Sequence, residues 1–308
     1  MAVVVTGAAG FIGRSVVATL RARGYAVVGI DRRPWDEADG ERSIVAELHL
    51  PDGGVDDALA SADAVLHLAG CPGVRDVTAD VGFRRYRDNV LAGERVLSAT
   101  PATTPVVVTS SSSVYGGSID GRACREEDVL APRGGYARSK AALEERCAAR
   151  RAGGGLVGVV RPFTVVGEGQ RPDMAIAGWL AAAQAGRPLR VLGSLDRVRD
   201  VTDVRDVAEG IVRAAERGLA TTVNLGTGHP RSLRELLAAV AGATATDPTV
   251  VVTDAGDDEV PATRADTRRC AELLDLVPRT DLAAVVARQL AASRTPAASA
   301  PHPHLELV

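Results

Sequence analysis

Ala2-Val3-Val4-Val5-Thr6-Gly7-Ala8-Ala9-Gly10-Phe11-Ile12-Gly13 stands at the start of the chain, and its reading decides the fold. Ala2–Thr6 is an unbroken apolar run, as expected of a strand buried on both faces. Glycines follow at 7, 10 and 13, and Ile12–Arg23 then carries apolar residues at helical spacing. Such glycines permit a tight turn, close approach of backbone to a pyrophosphate and close helix packing. The helix that follows aims its first amides, Phe11 and Ile12 among them, at the phosphates. A glycine-rich loop is a weak signal alone, but here it has the required context of a strand before it and a helix after.

The same alternation continues along the chain. Ala26–Asp31, Ala64–Leu68, Val106–Ser110, Leu156–Arg161 and Thr222–Leu225 read as further strands, with helices expected over Tyr86–Ser98 and Tyr136–Arg150. Parallel strands need crossovers, so this pattern predicts an α/β fold: a Rossmann-type, doubly wound parallel sheet. After Arg161 the pattern loosens. Residues 1–164, with 204–226, are assigned to the sheet domain; 165–203 and 227–290 to a smaller C-terminal α/β lobe that binds substrate. Residues 291–308, rich in Ala, Pro and Ser, are expected to be a flexible tail.

The 308 residues carry a net charge of −3, which argues against a nucleic-acid partner. No apolar run reaches the ~20 residues of a membrane span. Four cysteines lie far apart, without the spacing of a zinc site, as expected for reduced thiols in a cytoplasmic protein.

Asp31 ends the second strand. A carboxylate there accepts hydrogen bonds from the adenosine ribose hydroxyls and repels a 2′-phosphate, which favours NAD. Arg32 and Arg33 follow at once and offer charge to a 2′-phosphate, so these residues alone leave NADP open. Further on, Tyr136-Ala137-Arg138-Ser139-Lys140 sets a phenol and an ammonium four residues apart on one helical face. A nearby cation favours the phenolate form of a tyrosine, whose ordinary pKa of ~10 would leave it useless as a base. Of the 36 cationic residues Lys140 is the only lysine, and it falls where a compact ammonium with rotatable donors is wanted. Thr109-Ser110-Ser111-Ser112-Ser113-Val114-Tyr115-Gly116 closes the fourth strand with hydroxyls able to bind a sugar oxygen and relay a proton.

These motifs together resemble the extended short-chain dehydrogenase/reductase superfamily, over nearly the whole chain to about residue 290. The resemblance implies NAD as cofactor, with Ser111, Tyr136 and Lys140 as the catalytic set and Lys140 on the nicotinamide ribose. It places Glu47-Leu48 beside the adenine, and Leu68-Ala69-Gly70 and Pro162 along the cofactor. Gly70 stands where that superfamily more often has Ala. It also implies a homodimer. Dehydratases and decarboxylases of the superfamily usually carry a glutamate where this chain has Ser113. A hydroxyl does not readily abstract a carbon-bound proton, so a redox-neutral epimerisation is favoured.

Phe163-Thr164-Val165-Val166-Gly167, Arg171-Pro172-Asp173-Met174-Ala175, Gly73-Val74-Arg75 and the four serines resemble the UDP-glucuronate 4-epimerases. The expected reaction is conversion of UDP-glucuronate to UDP-galacturonate through a 4-keto sugar. Arg171 offers a bidentate fork to the C6 carboxylate and Thr164 a hydroxyl. Arg75, Ser111, Ser112, Ser113 and Tyr136 are expected at the sugar, Arg199 at the diphosphate and Arg190 near the uridine. Three rivals stay open: a 4-epimerase of a neutral UDP-hexose or UDP-N-acetylhexosamine, a UDP-glucuronate decarboxylase, and a non-enzymatic NAD-binding regulatory module.

Overall fold

The computed structural model describes residues 1–35, 42–73, 78–256 and 259–294. Its first half runs β1 (Ala2–Thr6), α1 (Phe11–Ala22), β2 (Ala26–Asp31), β3 (Arg42–Val45), α2 (Gly53–Ala60), β4 (Ala64–His67), α3 (Val81–Arg85), α4 (Ala92–Ala99), β5 (Val106–Thr109), α5 (Gly134–Ala152) and β6 (Val157–Pro162). A π-helical segment, Tyr86–Leu91, joins α3 to α4, and a 3-10 turn, Ser112–Tyr115, follows β5. The second half runs β7 (Thr164–Val166), α6 (Ala175–Gln184), β8 (Leu189–Leu192), β9 (Val198–Arg199), β10 (Val201–Asp203), α7 (Val204–Glu216), β11 (Thr222–Leu225), β12 (Arg231–Ser232), α8 (Leu233–Thr244), β13 (Val250–Thr253), α9 (Arg268–Leu274) and α10 (Leu282–Arg294).

Seven strands form one parallel sheet in the order β11-β6-β5-β4-β1-β2-β3. The strands are valine-rich, and β1, β4, β5 and β6 are buried along almost their whole length. Two apolar layers cover them. One packs Val16, Val17 and Leu20 of α1 with Val207 and Ile211 of α7; the other packs Val96 and Leu97 of α4 with Leu143 and Cys147 of α5. The strand order reverses between β1 and β4, and in such sheets the crevice beyond the strand ends at that point is where ligands bind. A third apolar cluster joins Trp179 and Leu180 of α6, Leu236 and Val240 of α8, and Val285 and Leu290 of α10. It lies beside the short pairs β7–β10 and β8–β13.

The six strands expected for the sheet are present, each within a residue or so of its expected bounds. Two elements depart from expectation. The helix expected over Tyr86–Ser98 is instead a short α-helix, a π-helical segment and a second α-helix. The tail expected from residue 291 is helical as far as Arg294, because Val285, Val286 and Leu290 bury one face of α10. Residues 295–308 lie outside the described residues.

Candidate active site

The glycine loop is tight enough to exclude side chains. The Gly10 amide donates to the Gly7 carbonyl at 2.9 Å. Gly7 adopts φ +74°, and a Cβ on Gly13 would lie 2.0 Å from the Gly7 carbonyl oxygen. A bare backbone cradle at the N-terminus of α1 is what a pyrophosphate needs, so the residues present fit a dinucleotide. Asp31, at the end of β2, is buried and accepts hydrogen bonds from the amides of Ala9 and Arg33, each at 3.0 Å. It thereby ties the strand end to the loop. Arg33 reaches back to the Ala9 carbonyl at 3.1 Å. Arg32 turns instead toward Asp88, at 2.9 Å, and Glu47, at 3.7 Å. Leu48 is buried in the α4–α5 layer.

A cavity of about 1040 Å³ opens from this loop across the strand ends. It brings together Phe11, Ile12, Leu68, Gly70, Pro162, the hydroxyls of Ser111, Ser112 and Ser113, and Tyr136 and Lys140. Thr164, Arg171, Arg190 and Arg199 line its far side. Gly7, Gly10, Gly13, Asp31, Arg32, Glu47, Leu48 and Ala69 lie outside its lining, toward the β1–β2–β3 side of the sheet. Arg75 is outside the described residues.

Tyr136 and Lys140 both sit on α5, which packs against β6. The Lys140 ammonium, 5% exposed, donates to the Thr109 carbonyl at 3.0 Å, and burial pushes its pKa down to about 8. His67 ends β4 with its Nδ1 2.8 Å from the Thr6 hydroxyl, and burial, with the Lys140 charge, holds its pKa down to about 3, so it is neutral. Burial pushes the Tyr136 phenol up; the Ser111 hydroxyl, hydrogen-bonded to it, and the charges of Arg171 and Arg85 pull it back down. The expected depression by a neighbouring lysine is therefore corrected. In this pocket desolvation dominates, and the groups that oppose it are Ser111 and two arginines. Ser111 also accepts from the Ser113 amide at 3.1 Å, which fixes the turn. The Ser113 hydroxyl is buried without a hydrogen-bond partner among the described residues, leaving it for a ligand.

Two of the arginines expected at the substrate are already engaged in ion pairs. Arg171 holds Asp173 through two parallel bonds of 2.8 and 2.7 Å, so its fork does not stand open. Arg199 pairs with Glu259 at 3.1 Å. Arg190 is exposed, and its carbonyl accepts from the Trp179 indole at 2.7 Å. Among the described residues that line the cavity, the acidic ones are Asp173 and Glu259, and each is paired with an arginine.

Sequence reasoning missed three supports of this site. Asn89, fully buried in the π-helical segment, accepts from the Cys71 amide at 2.7 Å and donates to the Cys71 carbonyl at 3.1 Å and to the Ser139 hydroxyl at 2.8 Å. A Cβ on Gly70 would come within 2.4 Å of Asn89 Oδ1, which explains glycine at that position. Glu144, one turn beyond Lys140, accepts from Ser110 Oγ at 2.5 Å and grips Arg161 through bonds of 2.9 and 2.6 Å. Arg161 in turn donates to the Tyr115 hydroxyl at 2.7 Å, and Tyr115 donates to Asn224 at 2.7 Å. Asp200, fully buried, accepts from the amides of Thr227, Gly228 and Ala265 at 2.8 to 2.9 Å. The signal for the last two was a charged residue within an apolar run or at a strand end.

Comparison with known proteins agrees with this geometry. A model of the NAD dependent epimerase/dehydratase family matches residues 3–226. The UDP-glucose 4-epimerase of Mycolicibacterium smegmatis is 30% identical over 306 residues, covering 94% of this chain and 97% of that protein. MoeE5, solved in complex with UDP-glucuronic acid and NAD and with UDP-glucose and NAD, is 36% identical, with a TM-score of 0.87 over 96% of this chain and 99% of that one. The UDP-glucuronic acid 4-epimerase of Bacillus cereus, in complex with UDP-glucuronic acid and NAD, is 26% identical, with a TM-score of 0.88 over 95% of this chain and 98% of that one. A seven-stranded sheet, a glycine cradle and a match over most of its length place this chain in the NAD dependent epimerase/dehydratase family, with NAD as its cofactor.

Proposed function

We propose that the protein is a UDP-sugar 4-epimerase whose preferred substrate is UDP-glucuronate. The observation that carries the reading is the set of hydroxyl side chains in the cavity lining. Ser111, Ser112 and Ser113 share the cavity with Tyr136 and Lys140, Thr164 lies across it, and the acidic lining residues are already paired with arginines. Among the described lining residues no carboxylate stands unpaired, which weighs against the carbon-bound proton abstraction that a dehydration requires. What remains is reversible oxidation and reduction at an alcohol carbon. The relatives named as UDP-glucose and UDP-glucuronate 4-epimerases support the same chemistry.

Bound NAD supplies a hydride acceptor and, once reduced, a hydride donor. Asp31 and the glycine cradle would hold its adenosine and pyrophosphate ends, and Lys140 would hold its nicotinamide ribose. Tyr136 would take the proton of the sugar's C4 hydroxyl, with Ser111 bridging, as the C4 hydrogen leaves with its electron pair; Ser111, Arg171 and Arg85 oppose the effect of burial on its phenol, and the positive charge of bound NAD⁺ would add to their pull. The 4-keto sugar turns over in the cavity, and Tyr136 returns the proton after hydride arrives on the opposite face. No net oxidation results. Arg199 and Arg190 are suited to the diphosphate and uridine end.

Recognition of an acidic sugar falls to Ser113, Thr164 and Arg171. The Arg171–Asp173 pair is largely exposed, and such pairs contribute only ~0–1 kcal/mol. Exchange of Asp173 for a substrate carboxylate therefore costs little and retains the bidentate geometry. A neutral UDP-hexose is the second reading, supported by the binding of both UDP-glucuronic acid and UDP-glucose by MoeE5. We also place the protein as a homodimer, supported by the exposed Phe83, Tyr86 and Leu91 along α3 and the π-helical segment.

The test is incubation of the enzyme with UDP-glucuronate and, separately, UDP-glucose, without added reductant, followed by mass and stereochemical analysis. UDP-galacturonate as an isobaric product supports the reading, and loss of CO₂ replaces it with decarboxylation. Turnover of UDP-glucose alone transfers it to the neutral sugar. Arg171→Ala should weaken UDP-glucuronate selectively, and equal weakening of both substrates would refute the carboxylate role.

A further inference from the structure

The two arginines after β2 pose a problem for cofactor choice. Arg32 and Arg33 follow Asp31 directly, beside the adenosine ribose position, and an arginine there is the usual means of receiving a 2′-phosphate. The Asp31 carboxylate repels that phosphate, but two flexible guanidinium groups beside it would offset one carboxylate. The structure shows what occupies them. Arg33 is folded back, its amide on Asp31 and its guanidinium on the Ala9 carbonyl. Arg32 leans away from the strand end and donates to Asp88 Oδ2 at 2.9 Å, with Glu47 at 3.7 Å.

Asp88 is built to hold it. The residue sits in the π-helical segment and is 5% exposed. Its Oδ1 accepts from Arg87 Nε at 2.6 Å, and its Oδ2 accepts from Arg87 at 3.1 Å as well as from Arg32. Burial alone would push the Asp88 carboxyl up; the two guanidinium groups hold it below the usual carboxylate range, so it is ionised. Arg32 and Asp88 both line a side cavity of about 490 Å³ that also meets Gly70, Gly73 and Arg171. That side cavity shares Gly70–Gly73 with the main one. The pair thus stands at the edge of the cofactor cleft, with one arginine committed to a buried anion on the helix side.

We propose that Asp88 is a cofactor-specificity residue: by holding Arg32 against the π-helical segment, it withholds from a 2′-phosphate the guanidinium that the sequence supplies. Selection of NAD then has two parts. Asp31 repels the phosphate, and Asp88 removes the cation that would compensate. Glu47, whose carboxylate lies within 4.8 Å of that of Asp88, adds a second anion beside the same guanidinium. The inference concerns dinucleotide binding alone and is independent of which sugar the enzyme takes.

The test is calorimetric titration of the full chain, freed of nucleotide, with NAD⁺ and NADP⁺. Asp88→Asn keeps the size and polarity of the side chain and removes the charge. It should tighten NADP⁺ at least tenfold, which is about 1.4 kcal/mol, and leave NAD⁺ within about threefold. The gain should vanish in Asp88→Asn combined with Arg32→Ala. Unchanged NADP⁺ affinity in Asp88→Asn refutes the proposal, and so does a gain that survives removal of Arg32, since direct repulsion by Asp88 would then explain it. Arg32→Ala alone provides a test that spares the buried site. Because Arg32 is withheld, that variant should bind both dinucleotides as the wild type does. A selective loss of NADP⁺ affinity greater than about threefold would show that Arg32 already reaches the phosphate and would overturn the assignment.

Discussion

Replacing Lys140 by Met should abolish turnover and yet make the protein more stable at neutral pH. The side chain is 5% exposed, and burial lowers its pKa from 10.5 to about 8. At ~1.4 kcal/mol for each tenfold change in proton affinity, carrying the proton in the folded state at pH 7 costs about 3 kcal/mol. Methionine has nearly the same length and no charge to desolvate. The variant also loses the Lys140–Thr109 hydrogen bond, which takes back about 1 kcal/mol. The net gain is about 2 kcal/mol, or roughly 3 °C in Tm at ~2.1 cal/mol/K per residue over 308 residues. The sign of the pH dependence is fixed by the same argument. The penalty is complete below about 8 and fades as pH rises toward 10.5, where the unfolded chain also loses its proton. Thermal and urea unfolding of both proteins at pH 7 and pH 10, with activity measured in parallel, checks this. A variant less stable than wild type at pH 7, or an advantage that does not shrink by pH 10, would refute it.

The Glu144–Arg161 pair supplies a second test. Either Glu144→Leu or Arg161→Leu alone leaves an uncompensated buried charge and should cost about 3–5 kcal/mol, whereas the double variant should cost less than either single one in urea unfolding. Gly13→Ala forces a Cβ to within 2.0 Å of the Gly7 carbonyl, so it should lower NAD affinity more than tenfold, measured by calorimetry, and destabilise the fold by about 2–3 kcal/mol. Gly70→Ala pushes on Asn89 and should lower kcat several-fold with less effect on KM, because the disturbed bonds lie under the reacting groups and not at the nucleotide.

The sheet was readable because its strands are buried on both faces and so appear as plain valine runs. The glycine loop and the Tyr136–Lys140 pair were readable because each is a local pattern whose spacing already states its geometry. Edge strand β3 escaped notice because Arg42–Val45 lies at a half-exposed margin and carries no clear alternation. Helix α2 was missed behind two glycines, although Asp52 caps it by accepting from the Val55 amide at 3.0 Å, a signal that was there to be read. The partners of the charged residues were illegible. Arg171 looked like an open fork, and only the fold of its loop brings Asp173 onto it. Glu144 and Arg161 are 17 residues apart, and nothing local pairs them; packing of α5 on β6 buries them together. Asn89 gained its role from a helical register that no periodicity announces.

The solitary lysine also has a practical consequence. Every other fixed cation on this chain is a guanidinium, and the one ε-amine is buried in the lining of the cavity. A lysine-directed acylating dye or cross-linker meets no other ε-amine among these 308 residues. Reaction at Lys140 would therefore report opening of the cleft itself, making the catalytic cavity its own spectroscopic tag.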